Sequence, residues 1–200
     1  MLGSGLMLLS AVPIRRGNFV AMAGVGLTER GALWAELDDP VLGPLRLANV
    51  HLRAGPPRRH ATELAHLLNV AGRRAILSGD FNCGPTIAPA LYRHILRDGW
   101  VDAYAAAGGT EAPTWDAANP LNRVGRYRRD PSQRIDHVFV PARSGLHADG
   151  AAIVLCDGTP PLSDHYGLLV RICIKTACEI TVDAPHPAFN VTQPAEQSMT

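Results

Sequence analysis

Asp80 and Asn82 stand one residue apart at the close of the run Leu77, Ser78, Gly79, Asp80, Phe81, Asn82. An extended backbone sends alternate side chains to the same side, so the carboxylate and the carboxamide face one way and Phe81 anchors the other. Such a pair can hold a phosphoryl oxygen or a metal-bound water, and it is equally the composition of a turn or a helix cap. A further carboxylate, Asp136, sits in the β-like run Arg134 to Val140 (RIDHVFV). Burying it unpaired costs several kcal/mol. His165 follows Asp164 in Ser163 to Leu169 (SDHYGLL), where neighbouring side chains of an extended segment point apart and cannot pair with each other. Pairing Asp136 with His165 satisfies both groups and orients the imidazole as a general base toward water. Backbone amides are the alternative partner for Asp136. His51 ends the apolar run Asn49 to Leu52 (NVHL) and gains meaning only in company with the others.

Other polar residues carry weaker signals. His137 is expected to face away from Asp136, and His60, His66, His94, His147 and His186 show no pattern, which reads as solvated or structural. Arg123, Arg126, Arg128 and Arg129 crowd a loop and are candidates for phosphate contacts or for simple solvation. Lys175 is the only lysine among 19 basic residues, and arginine is the better bidentate phosphate ligand, although codon composition produces the same bias. Cys83, Cys156, Cys173 and Cys178 have no CxxC pair and no zinc spacing, so they read as mostly buried thiols. A net charge of +1 excludes a generally basic nucleic-acid coat.

The elements that must position these residues follow from periodicity. An apolar content of 46% over 200 residues supports one domain with a real core. Leu6 to Ser10 reads as an interior strand, and Gly31 to Leu37 and Leu45 to Leu52 as two more joined through Asp38 to Pro44. Ala61, Leu64, Ala65, Leu67, Leu68 and Ala71 share one helical face, with Gly72 suited to the position past its end. Strand, helix and the strand Ala75 to Ser78 make a βαβ unit with parallel strands. A second helix is expected over Ala88 to Arg97, a long loop over Ala105 to Ser132, and strands at Ile135 to Val140, Ala151 to Leu155 and Tyr166 to Ile174. Residues 1–175 form the expected domain and 176–200 a polar, disordered tail. No apolar run is long enough for a transmembrane span, and the opening MLGSGLMLLSAVPI lacks the basic flank of a secretory leader. As it stands the chain reads as cytoplasmic; secretion follows if an upstream signal precedes it.

The ordered set NVHL, SGDFN, RIDHVFV and LSDHYGLLV resembles the endonuclease/exonuclease/phosphatase superfamily, from about Gly3 to Arg171. The resemblance implies an α/β, DNase I-like four-layer sandwich, here N-terminally truncated, and a magnesium- or manganese-dependent phosphoric ester hydrolase. It implies that Asp80 and Asn82 position nucleophile and phosphate, that His51 contacts phosphate, that Asp164 binds metal and that His165 with Asp136 is the base. The segments PTWDAANPL and SGLMLLSAVPI are similar to the bacterial neutral sphingomyelinase-like branch. The implied substrate is a phosphodiester, either a phospholipid headgroup or a nucleic acid bound through Arg123, Arg126 and Arg128, and no protein partner is expected. The family's principal metal-binding Glu lies upstream of the matched segment, so an inactive remnant is the competing expectation.

Overall fold

The computed structural model describes residues 5–22, 30–55, 57–72, 75–125, 127–156 and 161–174. The expected tail 176–200 lies outside the described residues. In chain order the strands and helices are β1 (Ile14–Ala21), β2 (Gly31–Asp39), β3 (Gly43–His51), α1 (Pro57–Ala71), β4 (Ala75–Asp80), α2 (Pro89–Arg97), β5 (Trp100–Asp102), α3 (Ala103–Ala106), β6 (Asp136–Pro141), β7 (Leu146–Val154) and β8 (Gly167–Ile174). A six-stranded sheet runs β1-β2-β3-β4-β6-β5, and β7 pairs with β8 in a second sheet. Among the described strands only β3 and β4 are parallel, and α1 is the crossover between them.

Alternation along the strands explains the layers. Trp34, Ala48, Val50, Leu77 and Phe139 turn one face of the large sheet toward Leu64, Leu67 and Ala71 of α1 and Leu91 and Ile95 of α2. Leu37, Leu45, Ile76 and Val140 turn the other face toward Leu146, Ile172 and Ile174 of the small sheet. Helices, large sheet and small sheet are thus three stacked layers among the described residues. None of the described helices is long and apolar enough to cross a membrane.

Several boundaries differ from expectation. Leu6 to Ser10 is not a strand; it is an irregular run tied down where the Asn49 side-chain amide donates to the Met7 carbonyl at 2.8 Å. The strand begins beyond Pro13, as β1, and its outward position at the sheet edge leaves Ile14 and Phe19 exposed, so no apolar alternation announces it. Three-residue β5 is too short for a periodic signal, and β7 starts five residues early because LHADG contains few strand formers. The long loop holds α3 and a 3-10 turn at Pro120–Arg123.

Gly79 must be glycine. Its φ is +123°, and a Cβ there would lie 2.1 Å from the Val50 carbonyl oxygen on the neighbouring strand. Gly79→Ala is expected to lose about 2 kcal/mol or more in urea denaturation. Gly17→Ala, which meets nothing closer than 3.5 Å on an exposed edge strand, is expected to change stability by less than about 1 kcal/mol.

Candidate active site

Strand register assembles the first part of the site. His51 pairs with Asp80 across the parallel β3–β4 ladder, and Asp80 pairs with Asp136 across the antiparallel β4–β6 ladder. Directly opposed residues share a sheet face, so three polar side chains lie in one row on the side of the small sheet. Phe81, fully buried, packs edge-on against Phe139 at 4.9 Å between ring centroids and fixes the exit of β4. Asn82 then takes a left-handed conformation, with φ of 49°. Its backbone amide donates to Asp80 Oδ1 at 2.8 Å, and its side-chain amide donates to Asp80 Oδ2 at 3.0 Å and to the Leu52 carbonyl at 2.9 Å. The Asp-x-Asn pair is therefore a turn former and a wall of the site at once.

His165 reaches the row from a distant segment. Its Nδ1 lies 2.7 Å from Asp136 Oδ2, the pairing expected from the sequence. A carboxylate accepts, so Nδ1 carries the proton and Nε2 is the nitrogen left for chemistry. Burial opposes charge on this imidazole, but the hydrogen bond and charge of Asp136, with Asp80 and Asp164 behind it, outweigh burial and hold His165 up at about 9. Burial, reinforced by the Asp136 charge, pushes Asp80 up to about 7. Burial pulls His51 below its ordinary value, and the Arg30 cation adds to the effect. His51 Nε2 stands 3.5 Å from Asp80 Oδ2.

These groups open into a cavity of about 440 Å³ that His51, Asp80, Asn82, Asp164 and His165 line together. Arg30 brings a cation to the same cavity, and no motif or periodicity in the sequence marks it. Ile87, Leu91 and Trp115 supply apolar wall. Of the expected phosphate arginines, Arg123 donates to the Ala118 carbonyl at 3.1 Å and Arg128 to the Gly125 carbonyl at 3.0 Å, and neither is among the residues lining the cavity. Both serve the loop's own backbone. Arg126 lies outside the described residues.

Two buried imidazoles pin the turn that carries Asp80 and Asn82. His60 Nε2 donates to the Phe81 carbonyl and His137 Nε2 to the Cys83 carbonyl, both at 2.8 Å. His137 belongs to a buried network beneath β6 in which Arg134 and Tyr92 donate to Asp102 Oδ2 at 2.7 and 2.8 Å. Burial opposes the Asp102 charge, but His137 and Arg134 overcome it and hold this carboxyl well below the usual range. Arg134 is thus a structural cation, 2% exposed.

Magnesium takes near-octahedral oxygen coordination. Asp80 commits both oxygens to Asn82, and Asp164 Oδ1 accepts from the Ser163 hydroxyl at 3.2 Å. No group of three or more His, Cys, Asp or Glu side chains able to hold a metal ion occurs among the described residues. The described residues do not by themselves fit Mg²⁺.

The layered sheets and the placement of the cavity at the strand ends define the DNase I-like fold of the endonuclease/exonuclease/phosphatase proteins. The chain is similar to the endonuclease/exonuclease/phosphatase of Beutenbergia cavernae DSM 12333, with 22% identity and a TM-score of 0.61 over 82% of this chain and 46% of that one. It is similar to the corresponding protein of Bacteroides vulgatus, with 21% identity and a TM-score of 0.64 over 82% and 66%. It is also similar to D. rerio TDP2, solved with a single-strand DNA product, with 20% identity and a TM-score of 0.61 over 80% and 68%. The chain thus spans about half to two thirds of these proteins' lengths. No family model matches the sequence, and no curated protein sequence matches it.

A carboxyl held at about 7 in the fold and 3.8 in its unperturbed state burdens the folded protein when ionised. The burden is absent below pH about 4, grows as pH rises and is complete above about 7. Asp80→Asn is therefore expected to raise Tm at pH 8 and leave it nearly unchanged at pH 4, as read by calorimetry at the two pH values.

Proposed function

We propose that the chain is the catalytic portion of a phosphoric ester hydrolase. The observation that carries this reading is the 2.7 Å Asp136–His165 pair facing His51, Asp80 and Asn82 across one cavity. His165 gives up its proton above pH about 9, and its neutral Nε2 then takes a proton from the attacking water. Asp136 fixes the tautomer and stabilises the imidazolium as it forms, the division of labour that makes carboxylate-held imidazoles effective bases. Asp80 and Asn82 orient water and phosphate. His51 lies neutral at physiological pH and contacts a phosphoryl oxygen, while the Arg30 guanidinium balances phosphate charge.

The reading includes a divalent cation, Mg²⁺ or Mn²⁺, with Asp164 as one ligand and the remaining oxygens supplied from outside the described set. Phosphoric ester substrates have charge for such an ion to neutralise. The shortage of ligands favours a second reading, that this portion alone is inactive. Added EDTA and the ions themselves separate the two.

On the first reading, Mg²⁺-dependent hydrolysis of bis-p-nitrophenyl phosphate is expected to fall by about 100-fold or more in His165→Ala and in Asp80→Ala. EDTA is expected to abolish it. Undiminished hydrolysis in both variants contradicts the site, and no hydrolysis at any metal concentration supports the inactive reading. Substrate class is read separately. Binding of DNA or RNA that weakens steeply with salt indicates a nuclease, as the DNA product bound to D. rerio TDP2 suggests. Salt-insensitive cleavage of a phosphocholine lipid indicates the sphingomyelinase-like branch.

A further inference from the structure

The segment Pro113 to Asn122 touches both halves of the Asp136–His165 pair, although it contributes no side chain to that pair. Thr114 is fully buried, and its Oγ1 accepts from the backbone amides of Ile135 at 3.2 Å and Asp136 at 3.1 Å. The Thr114 carbonyl accepts from the Tyr166 amide at 2.7 Å. Asn119, 1% exposed, donates through Nδ2 to the Ser163 carbonyl at 2.9 Å. Asn122, 5% exposed, donates through Nδ2 to the Asp164 carbonyl at 2.9 Å and to the Asp116 carbonyl at 2.9 Å. Trp115 forms β-bridges to both Gln133 and His165.

The bonds to Ile135, Asp136, Ser163, Asp164 and Tyr166 land on the backbone at or beside a residue of the site. Asp136 opens β6 with Asp80 as its ladder partner on the β4 side and, among the described residues, none on the β5 side, and His165 precedes β8 outside its ladder with β7. One ten-residue stretch supplies the missing anchors for both. Buried carboxamides spent on carbonyls 42 and 44 residues away serve these two positions. Capping explains only part of Asn119, whose Oδ1 accepts from the Leu121 amide at 3.0 Å while Nδ2 reaches Ser163.

We propose that Thr114, Asn119 and Asn122 are positioning residues that clamp Asp136 and His165 at hydrogen-bonding distance, so that the segment Pro113 to Asn122 works as a brace for the base. The proposal rests on the hydrolase reading for its catalytic consequence and on the hydrogen-bond pattern for its geometry. Substitutions isolate the contacts. Thr114→Val keeps the shape and removes the acceptor, and Thr114→Ser keeps the hydroxyl. Asn119→Ser keeps a good helix-capping oxygen and loses the reach to Ser163.

Two measurements on the full chain test this. In steady-state hydrolysis of bis-p-nitrophenyl phosphate with Mg²⁺, Thr114→Val and Asn119→Ser are expected to lower kcat by about 10- to 100-fold with KM nearly unchanged, since small misplacement of a reacting group has effects of this size. Thr114→Ser is expected to retain the wild-type kcat. In proton NMR, the Nδ1 proton of His165 bonded to Asp136 is expected as a downfield resonance in the wild type and Thr114→Ser, and to broaden or vanish in the other two variants. Folded Thr114→Val and Asn119→Ser proteins that keep both the resonance and kcat overturn the brace. A resonance that depends on the brace in a chain with no hydrolytic activity upholds the brace and overturns the hydrolase reading instead. Should Thr114→Val fail to fold, Asn119→Ser decides alone.

Discussion

Two carboxylates, Asp80 and Asp136, oppose each other across adjacent strands on one face of the sheet, and the imidazole of His165 answers for both. Like charges facing each other in a partly buried row are unfavourable. The structure meets this in two ways. Asp136 is bonded to a cationic His165, and the Asp80 proton is held to near neutral pH by burial and by its neighbour. The two groups are consequently poised where a change of proton, substrate or cation is felt by both.

That poise depends on parts of the fold with no reactive group. The α1 crossover makes β3 and β4 parallel and brings His51 level with Asp80. Gly79 allows the neighbouring backbone to approach where any side chain would collide. Phe81 anchors the turn from within the core, and His60 and His137 hold its carbonyls from either side. Beneath β6 Asp102, Arg134 and His137 form a buried network that reaches the exposed Glu111 through Arg134, so removing one buried partner would strand the others. The RIDH run therefore divides in two: Asp136 faces the site, and Arg134 and His137 hold the layer behind it.

Most of the central strands and both long helices were legible because burial on one or two faces writes a period into the sequence. The pairing of Asp136 with His165 was legible because a carboxylate inside an apolar run needs a partner. Other features left no local trace. β1 shows no alternation because its residues are largely exposed at an edge, and the apolar Leu6 to Ser10 run imitated the strand that actually follows it. Arg123 and Arg128 read as phosphate ligands by type and crowding, and that each also places one N–H on a nearby loop carbonyl is set by the loop's fold. His60, Thr114, Asn119 and Asn122 act on backbone atoms far along the chain, and a bond to a carbonyl depends on where the fold brings it rather than on residue spacing.

The central claim is that Asp136 governs the protonation of His165 and that neutral His165 is the base. The pH–rate profile of phosphodiester hydrolysis, compared between wild type and Asp136→Asn, tests it most directly. The account predicts a wild-type rate that climbs with pH toward about 9, where His165 loses its proton. In Asp136→Asn the climb moves to lower pH, because the stabilising carboxylate is gone, and the plateau falls. A profile with the same inflection and plateau in both proteins contradicts the account.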